Sequence, residues 1–331
     1  MTNKDLEKLS EDLLLRIRRR PGRPVATASL QKAFGAGADD VVAALGKLKR
    51  LGYKIRKKTG GQIAFVAAAD SLTVTEIGYG LSSKVIGKKI HAYHSVKSTN
   101  DIATQLAQSG TPEGTIVTAE TQTKGRGRLG RSWYSPPKTG IYVSIILKPK
   151  FRPEAAPGLA VMTSLALAEA VEKHTSGEVK IKWPNDIHVN GKKVAGILTE
   201  LSAERNRVDY VVVGVGINVN QKPDDFPQEL KSIATSLRAV NRRKVPRLDL
   251  LRLFLSNFEK EYLGYQKGQL GRSRKRIRKY SSLIGQQVRL SFGNRIVEGK
   301  AIDIDATGAL IIEMDGQRRA VTSGEVTVVK D

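Results

Sequence analysis

The segment KGRGRLGRSW, Lys124 to Trp133, sets four cationic side chains among three glycines and closes on a tryptophan. Glycines let backbone N–H groups approach an anion, and the forked guanidinium groups of Arg126, Arg128 and Arg131 match phosphate oxygens. The segment lacks the Gly-Lys-Ser/Thr ending of a Walker loop, which argues against that nucleotide fold. Arg-Gly tracts that wrap RNA run long and with low complexity. This one is short, lies between two strand-like runs and continues into SWYSP. A folded loop closing over a small phosphate-bearing molecule is the expectation, with Trp133 covering the ligand or anchoring the loop.

Other polar groups stand around it. Ser98-Thr99-Asn100-Asp101 directly precedes a helical stretch. Ser98 suits a helix N-cap, and the remaining hydroxyl and amide groups suit a polar, uncharged ligand. Gln122 ends the strand that feeds the loop; its paired donor and acceptor match a cyclic urea or amide. In Lys182-Trp183-Pro184-Asn185-Asp186, tryptophan and proline fix the backbone while Asn185 and Asp186 present polar groups. Beyond an Asn190-Gly191 hairpin turn come Lys192 and Lys193, of which strand alternation lets only one face a pocket in the sheet. Gly214-Val215-Gly216-Ile217-Asn218 lacks the third glycine and the following helix of a dinucleotide fingerprint. Close packing against a ligand, with Asn218 as a polar contact, is the expected use.

These residues need a scaffold, and 331 residues with 40% hydrophobic and 27% charged content suffice for two or three domains with a sizeable core. From Leu6 to Val66 the pattern predicts three helices and a hairpin closed at Gly60-Gly61, the order of a winged helix. ADDVVAALGKLKRLG is then the candidate recognition helix, and Lys47, Lys49, Arg50, Arg56, Lys57 and Lys58 could meet phosphates. Asp39 and Asp40 complement the dipole of that helix but would repel DNA. From Ile90 to Val219, strand-like runs interrupted by two helices predict a mixed, largely antiparallel sheet with helices packed on it. The helix RLDLLRLFLSNFEKEYLGYQ follows, then the basic run Arg272–Lys279, which suits a solvated face or a phosphate site. Short strands with glycine turns after Leu283 predict a small barrel. The expected domains are 1–66, a linker at 67–89, 90–282 and 283–331, in an α+β fold.

The net charge of +24 favours a polyanion or an acidic protein partner, and serves solubility equally. The absence of cysteine excludes disulfides and thiolate-bound zinc and fits a cytoplasmic location. His91, His94, His174 and His188 are too scattered for a zinc site. No apolar run approaches the length of a membrane span, and the N-terminus does not read as a signal peptide, so no membrane partner is expected.

Taken in order, STN, Q-x-x-GRGRxGRxW, KWPND, NGKKVAGIL and GVGINV resemble the biotin protein ligase family, over roughly His94 to Val219. The glycine turns and Ser323-Gly324-Glu325 near the C-terminus resemble that family's small terminal domain. The N-terminal part is similar to the bifunctional members that also repress biotin-synthesis genes. Lipoyl ligases share the fold but not this arginine loop. The resemblance implies a class II synthetase-like ligase domain and an SH3-like C-terminal barrel. It implies that biotin and ATP give biotinyl-adenylate, and that a lysine of a biotin carboxyl carrier protein then displaces AMP.

By the same resemblance Ser98, Thr99 and Gln122 hold the ureido ring, Asn100 fixes the loop, and Trp133 packs beside biotin. Arg126, Gly127 and Arg128 fold over biotin and phosphate, and Arg131 neutralises further charge. Lys193 sits between the reacting carboxylate and phosphate, with Arg128 and Asp186 assisting. Asp186 helps hold magnesium or accepts a proton, and Asn185 and Asn218 contact the nucleotide. Operator DNA and a homodimer are further expected partners. Two rival readings are a DNA-binding biotin sensor that no longer ligates, and a ligase whose winged helix is purely structural.

Overall fold

The structure is a computed structural model that describes residues 2–205, 207–292, 295–322 and 324–329. It divides into two compact units, Met1–Ser71 and Leu72–Asp331.

The first unit contains α1 (Asn3–Arg18), β1 (Val25–Ala26), α2 (Thr27–Phe34), α3 (Ala38–Arg50), β2 (Lys54–Lys58) and β3 (Gln62–Ala67). Thr2 caps α1: its hydroxyl accepts the Asp5 N–H while the Asp5 carboxylate takes the Thr2 N–H, satisfying donors a helix start leaves open. Leu13, Leu14 and Ile17 of α1 bury with Val41, Ala44, Leu45 and Leu48 of α3 in one apolar cluster, the helical spacing that the sequence shows. The sheet order is β1-β3-β2. The two-residue β1 went unforeseen because no periodicity exists over so short a run. Asp40 takes the Gly37 N–H at 3.1 Å, and Lys47 pairs with Glu7 at 3.2 Å. Arg50, Arg56 and Lys57 are exposed.

The second unit opens with α4 (Val74–Gly78), β4 (Ile90–Val96), α5 (Thr99–Gln108), β5 (Ile116–Gln122), β6 (Gly140–Leu147) and α6 (Ala156–Glu172). It continues with β7 (Val179–Lys182), β8 (Asp186–Val189), β9 (Lys192–Glu204), β10 (Arg207–Asn218), α7 (Leu237–Asn241), α8 (Arg247–Gln266) and α9 (Leu270–Tyr280). Its sheet runs β4-β5-β6-β10-β9-β8-β7; β4 and β5 pair in parallel and the other neighbours are antiparallel. One face is covered by α6 and α8, where Val143, Ile145, Val213, Val215, Leu165 and Phe254 share the main core. On the opposite face Ala103 and Ala107 of α5 meet Val117, Ile146 and Val212. The stretch Pro153–Glu172 is long and apolar enough to cross a membrane by length and composition, contrary to the sequence expectation. Here it is the central core helix, apolar because it is buried nearly all round.

One expected boundary changes. The stretch 67–89 is not a loose linker throughout. From Leu72 onward it belongs to the second unit, with Leu72, Ile77 and Ile86 in the core. The Glu259 carboxylate accepts the N–H groups of Lys84, Val85 and Ile86 at 2.7, 2.6 and 2.8 Å. Leu72, Ile77 and Ile86 are too widely spaced to show a period. The terminal strands pack within the same compact unit. The terminal strands β11 (Gln287–Phe292), β12 (Arg295–Ile304), β13 (Leu310–Met314), β14 (Gln317–Val321) and β15 (Glu325–Val328) form an antiparallel sheet ordered β14-β13-β12-β11-β15. Val288, Leu290, Ala301, Ile304 and Leu310 of these strands continue the main core. Of the Ser323-Gly324-Glu325 motif, Ser323 lies outside the described residues.

The basic run on α9 is largely exposed, as expected of a solvated face, but several of its cations are paired. Arg276 pairs with Glu169 and Glu261 at 2.7 and 2.8 Å, and Lys279 with Glu172 at 3.0 Å. Arg274 and Arg278 both hold Asp303 of β12. These cations join α6, α8 and the terminal sheet, and the acidic partners lie too far away in sequence to be anticipated.

Candidate active site

The strand period of two builds the floor of the site. On β10, Val212, Gly214 and Gly216 face α5; the register sets them beside Ile146, Ser144 and Tyr142 of β6, and beside Glu200, Leu198 and Gly196 of β9. The two glycines are required by close approach. A Cβ on Gly214 would stand 2.2 Å from Asn100 Oδ1, and one on Gly216 would stand 2.3 Å from Trp133 Nε1. The glycines of Gly214-Val215-Gly216 thus seat two of the chain's own side chains, where the sequence suggested direct packing on a ligand.

Asn100 reaches these glycines from α5 and Trp133 from the arginine loop. Asn100 Oδ1 accepts from Ser144 Oγ at 2.6 Å, and its Nδ2 donates to Glu200 at 2.6 Å. Ser144 Oγ also reaches Thr99 Oγ1 at 2.8 Å. Gln122 Oε1 accepts the Thr99 N–H and hydroxyl at 2.8 and 3.0 Å, and its Nε2 donates to Ser135 Oγ at 3.0 Å. Ser98 occupies the N-cap position of α5 but makes no side-chain capping bond, so the cap role expected of its hydroxyl is not taken up. Ser98 is buried and lines the cavity described below.

The arginine loop is a compact hairpin. Arg126 and Ser132 bridge antiparallel; Gly127 N–H donates to Arg131 O at 2.7 Å and Trp133 N–H to Gly125 O at 2.9 Å. Leu129, φ 56°, and Gly130, φ 73°, turn the tip through the left-handed region, where a leucine is strained. These glycines therefore shape a turn, and the Gly127 N–H is not presented to an anion as the sequence suggested. Trp133 Nε1 is buried with no hydrogen-bond partner.

Cations and carboxylates meet beside the indole. Arg128 Nη1 donates to Asn185 Oδ1 at 2.9 Å, while Asn185 Nδ2 donates to Ile197 O at 2.9 Å. Lys193 Nζ lies 2.7 Å from Asp186 Oδ2 and 5.5 Å from the Trp133 ring centroid. Asp186 Oδ1 is buried without a partner. The β8–β9 register shifts between Ile187 and His188, and an irregularity of this kind re-aims a side chain. Lys193 is thereby turned inward, whereas Lys192 points away and donates to Lys231 O at 3.0 Å. Lys193 is the pocket lysine of the pair.

A narrow cavity of about 50 Å3 gathers Ser98, Thr99, Asn100, Gln122, Arg126, Gly127, Trp133, Asn185 and Lys193, with Gly196, Gly214 and Gly216 in its wall. Arg128 and Asp186 reach it through Asn185 and Lys193. Asn218 and Arg131 are not among its lining residues; Asn218 accepts from Gln221 at 3.4 Å. The Arg126 guanidinium is held by Glu200 and Asp101, both at 2.7 Å. Sequence reasoning missed Glu200, Asp101, Ser144 and Ser135. Among the described residues no group of three His, Cys, Asp or Glu side chains could hold a metal.

A mixed sheet, a cationic hairpin and an inward lysine–aspartate pair thus surround one polar cavity, and comparison with known proteins gives the class of enzyme. A model of the Biotin/lipoate A/B protein ligase family matches residues 92–218, and one of the biotin protein ligase C terminal domain matches residues 283–329. The bifunctional ligase/repressor BirA of Bacillus subtilis is 34% identical over 302 residues, covering 91% of this chain and 93% of that protein. The biotin–[acetyl-CoA-carboxylase] ligase of Mycobacterium tuberculosis is 33% identical over 240 residues, covering 69% of this chain and 85% of that protein. The solved biotin protein ligase from Aquifex aeolicus in complex with biotin and ATP superposes with a TM-score of 0.64 and 31% identity, covering 74% of this chain and 100% of that one. The chain belongs to the biotin protein ligase family.

Proposed function

We infer that this protein joins biotin to an acceptor lysine in two ATP-dependent steps. A biotin carboxylate oxygen attacks the α-phosphorus of ATP, the bond to the bridging oxygen breaks, and pyrophosphate leaves. The acceptor amine then attacks the acyl carbon of the mixed anhydride and expels AMP. The observation that carries this reading is one cavity holding Lys193, paired with Asp186 at 2.7 Å, together with Gln122 and Ser98. The polar end with Ser98, Thr99 and Gln122 suits the ureido group, where Thr99 and Ser135 would exchange their bonds to Gln122 for the ligand. At the other end Lys193 lies between two acids that repel each other, and a fixed cation there lowers the barrier. Arg128 reaches the same end from the loop, with Arg126 and Gly127 in its stem; Arg131 adds charge outside, and Asn185 and Asn218 are nucleotide contacts.

Asp186 has one oxygen on Lys193 and one without a partner. That oxygen could serve magnesium, which would draw its other ligands from phosphate and water, or take the proton released by the acceptor amine. Incubation with labelled biotin, ATP and a biotin carboxyl carrier domain should label one lysine of the carrier. A blot with no label above a no-ATP control would overturn the reading.

In this reading residues 1–66 form a winged helix, the terminal strands an SH3-like barrel, and the enzyme works in the cytoplasm, with a homodimer as its assembled form. The exposed Arg50, Arg56 and Lys57 favour a second role on operator DNA; Lys47 is partly neutralised by Glu7, and Asp39 opposes it. Selection from random duplexes with the full chain and biotinyl-adenylate should return a consensus site. Its binding should weaken steeply with salt, by about 0.9 log unit per log unit of salt for each phosphate contact. Binding that shows no sequence preference would leave the winged helix a structural element of the ligase.

A further inference from the structure

We propose that Glu200 is a positioning residue for the ligase reaction, one that with Asp101 pins the stem of the arginine loop through Arg126 and steadies Asn100. This deepens the reading of the loop as a cover over the adenylate and rests on it. Glu200 stands on the floor strand β9, opposite Val212 of β10. Its two oxygens take Arg126 Nη1 at 2.7 Å and Nη2 at 3.0 Å, a forked pairing. Asp101, in the first turn of α5, takes Nη2 at 2.7 Å. One Glu200 oxygen also accepts Asn100 Nδ2 at 2.6 Å. From there bonds run through Ser144 and Thr99 to Gln122. A single carboxylate therefore joins the loop stem to the polar end of the cavity.

The geometry separates two arginines that the sequence makes look alike. Arg126 lines both the inner cavity and an outer one of about 360 Å3 that also contains Asp101, Glu200 and Tyr210. Its guanidinium is already matched by two carboxylates, whereas Arg128 reaches only the neutral Asn185. Arg128 is accordingly the loop arginine whose charge is available to an anion, and Arg126 is the hinge pin. Isolated surface ion pairs contribute little, and the Arg126 and Glu200 side chains are 44% and 31% exposed. Forked geometry, a second carboxylate and a fixed strand make this a network, in which charge-assisted bonds are stronger.

The test uses the full chain. In ligand-free enzyme, trypsin cleavage after Arg128 and Arg131 should rise about tenfold in Glu200→Gln, the size of one charge-assisted bond. Gln can still accept from Asn100, so the change removes the ion pair while keeping that bond. Arg126→Met, which approaches the pair from the other side, should give the same rise, and the double variant no more than either single one. In both variants free adenylate should escape about tenfold faster, with the rate of pyrophosphate release in Glu200→Gln changed less than twofold. Cleavage within twofold of wild type, a double variant equal to the product of the singles, or unchanged escape would each overturn the proposal. The cleavage arm needs neither biotin nor ATP. A wild-type chain that fails to ligate yet shows this coupling sinks the functional reading, and a ligating chain without the coupling sinks the pin.

Discussion

Lys193→Ala should lower biotin-dependent pyrophosphate release by about 30- to several-thousand-fold, corresponding to roughly 2–5 kcal/mol for truncating one member of a partly buried charge pair. The fold should survive, because the backbone of Lys193 is held independently of its side chain. Its N–H donates to Ile233 O and its carbonyl accepts from Thr235, both at 2.9 Å. Two effects add at the site. The cation between the reacting acids is lost, and Asp186, no longer neutralised at 2.7 Å, adds a negative charge beside them. Lys193→Ala should therefore be worse than a simple gap. Arginine is a poor replacement, because the aliphatic end of Lys193 already crowds Gly196, whose notional Cβ would stand 3.2 Å from Lys193 Cε. Lys192→Ala, one residue away and bonded to Lys231 O, should keep near-normal rates. Single-turnover pyrophosphate release with saturating biotin and ATP measures both variants. A Lys193→Ala enzyme within a few-fold of wild type removes the lysine from the chemistry.

The strands and long helices were readable because burial on one or both faces writes a period into the sequence. The Asn190-Gly191 turn, both residues at positive φ, and α6, an almost unbroken apolar run, needed no tertiary information. Alternation allowed only one of Lys192 and Lys193 to face the pocket without saying which, and the bulge beside them depends on how β8 pairs with β9. The glycines at 214 and 216 show the other limit. Their spacing announced close approach, yet what approaches is Asn100 from a helix and Trp133 from a loop, each about a hundred residues away. Glu200 left no signal either. An acid in the run Thr199-Glu200-Leu201 looks like any solvent-facing strand residue until Arg126 folds onto it. The basic run Arg272–Lys279 suited a solvated face or a phosphate site, and nothing local showed that carboxylates from α6, α8 and β12 pair with Arg274, Arg276, Arg278 and Lys279. Local periodicity was legible, and long-range charge pairing was not.

Arg128→Gly should convert a retaining enzyme into a leaky one. The loop tip is tied to the rest of the site by Arg128 Nη1 on Asn185 Oδ1 at 2.9 Å, and Asn185 is in turn fixed to Ile197 by two backbone-directed bonds of 2.9 Å. Neighbouring Leu129 holds a left-handed φ of 56° with its side chain 72% exposed. The tip has little apolar anchorage, and it keeps a strained turn that this tether helps to maintain. Glycine removes the tether and widens the conformations open to the free loop. Losing a charge-assisted bond corresponds to about 1.5–3 kcal/mol, hence on the order of 10- to 100-fold faster opening. Adenylate formation still has Lys193, so the chemical step should fall less than escape rises, and the reactive anhydride should acylate lysines of any protein nearby. Mass spectrometry of a bystander protein mixed with enzyme, biotin and ATP reads this directly. Asn185→Ala, which removes the other end of the same bond, should label bystanders in the same way. If neither variant raises bystander labelling while both still form adenylate, retention does not depend on this hairpin, and water and foreign amines are excluded by some other part of the fold.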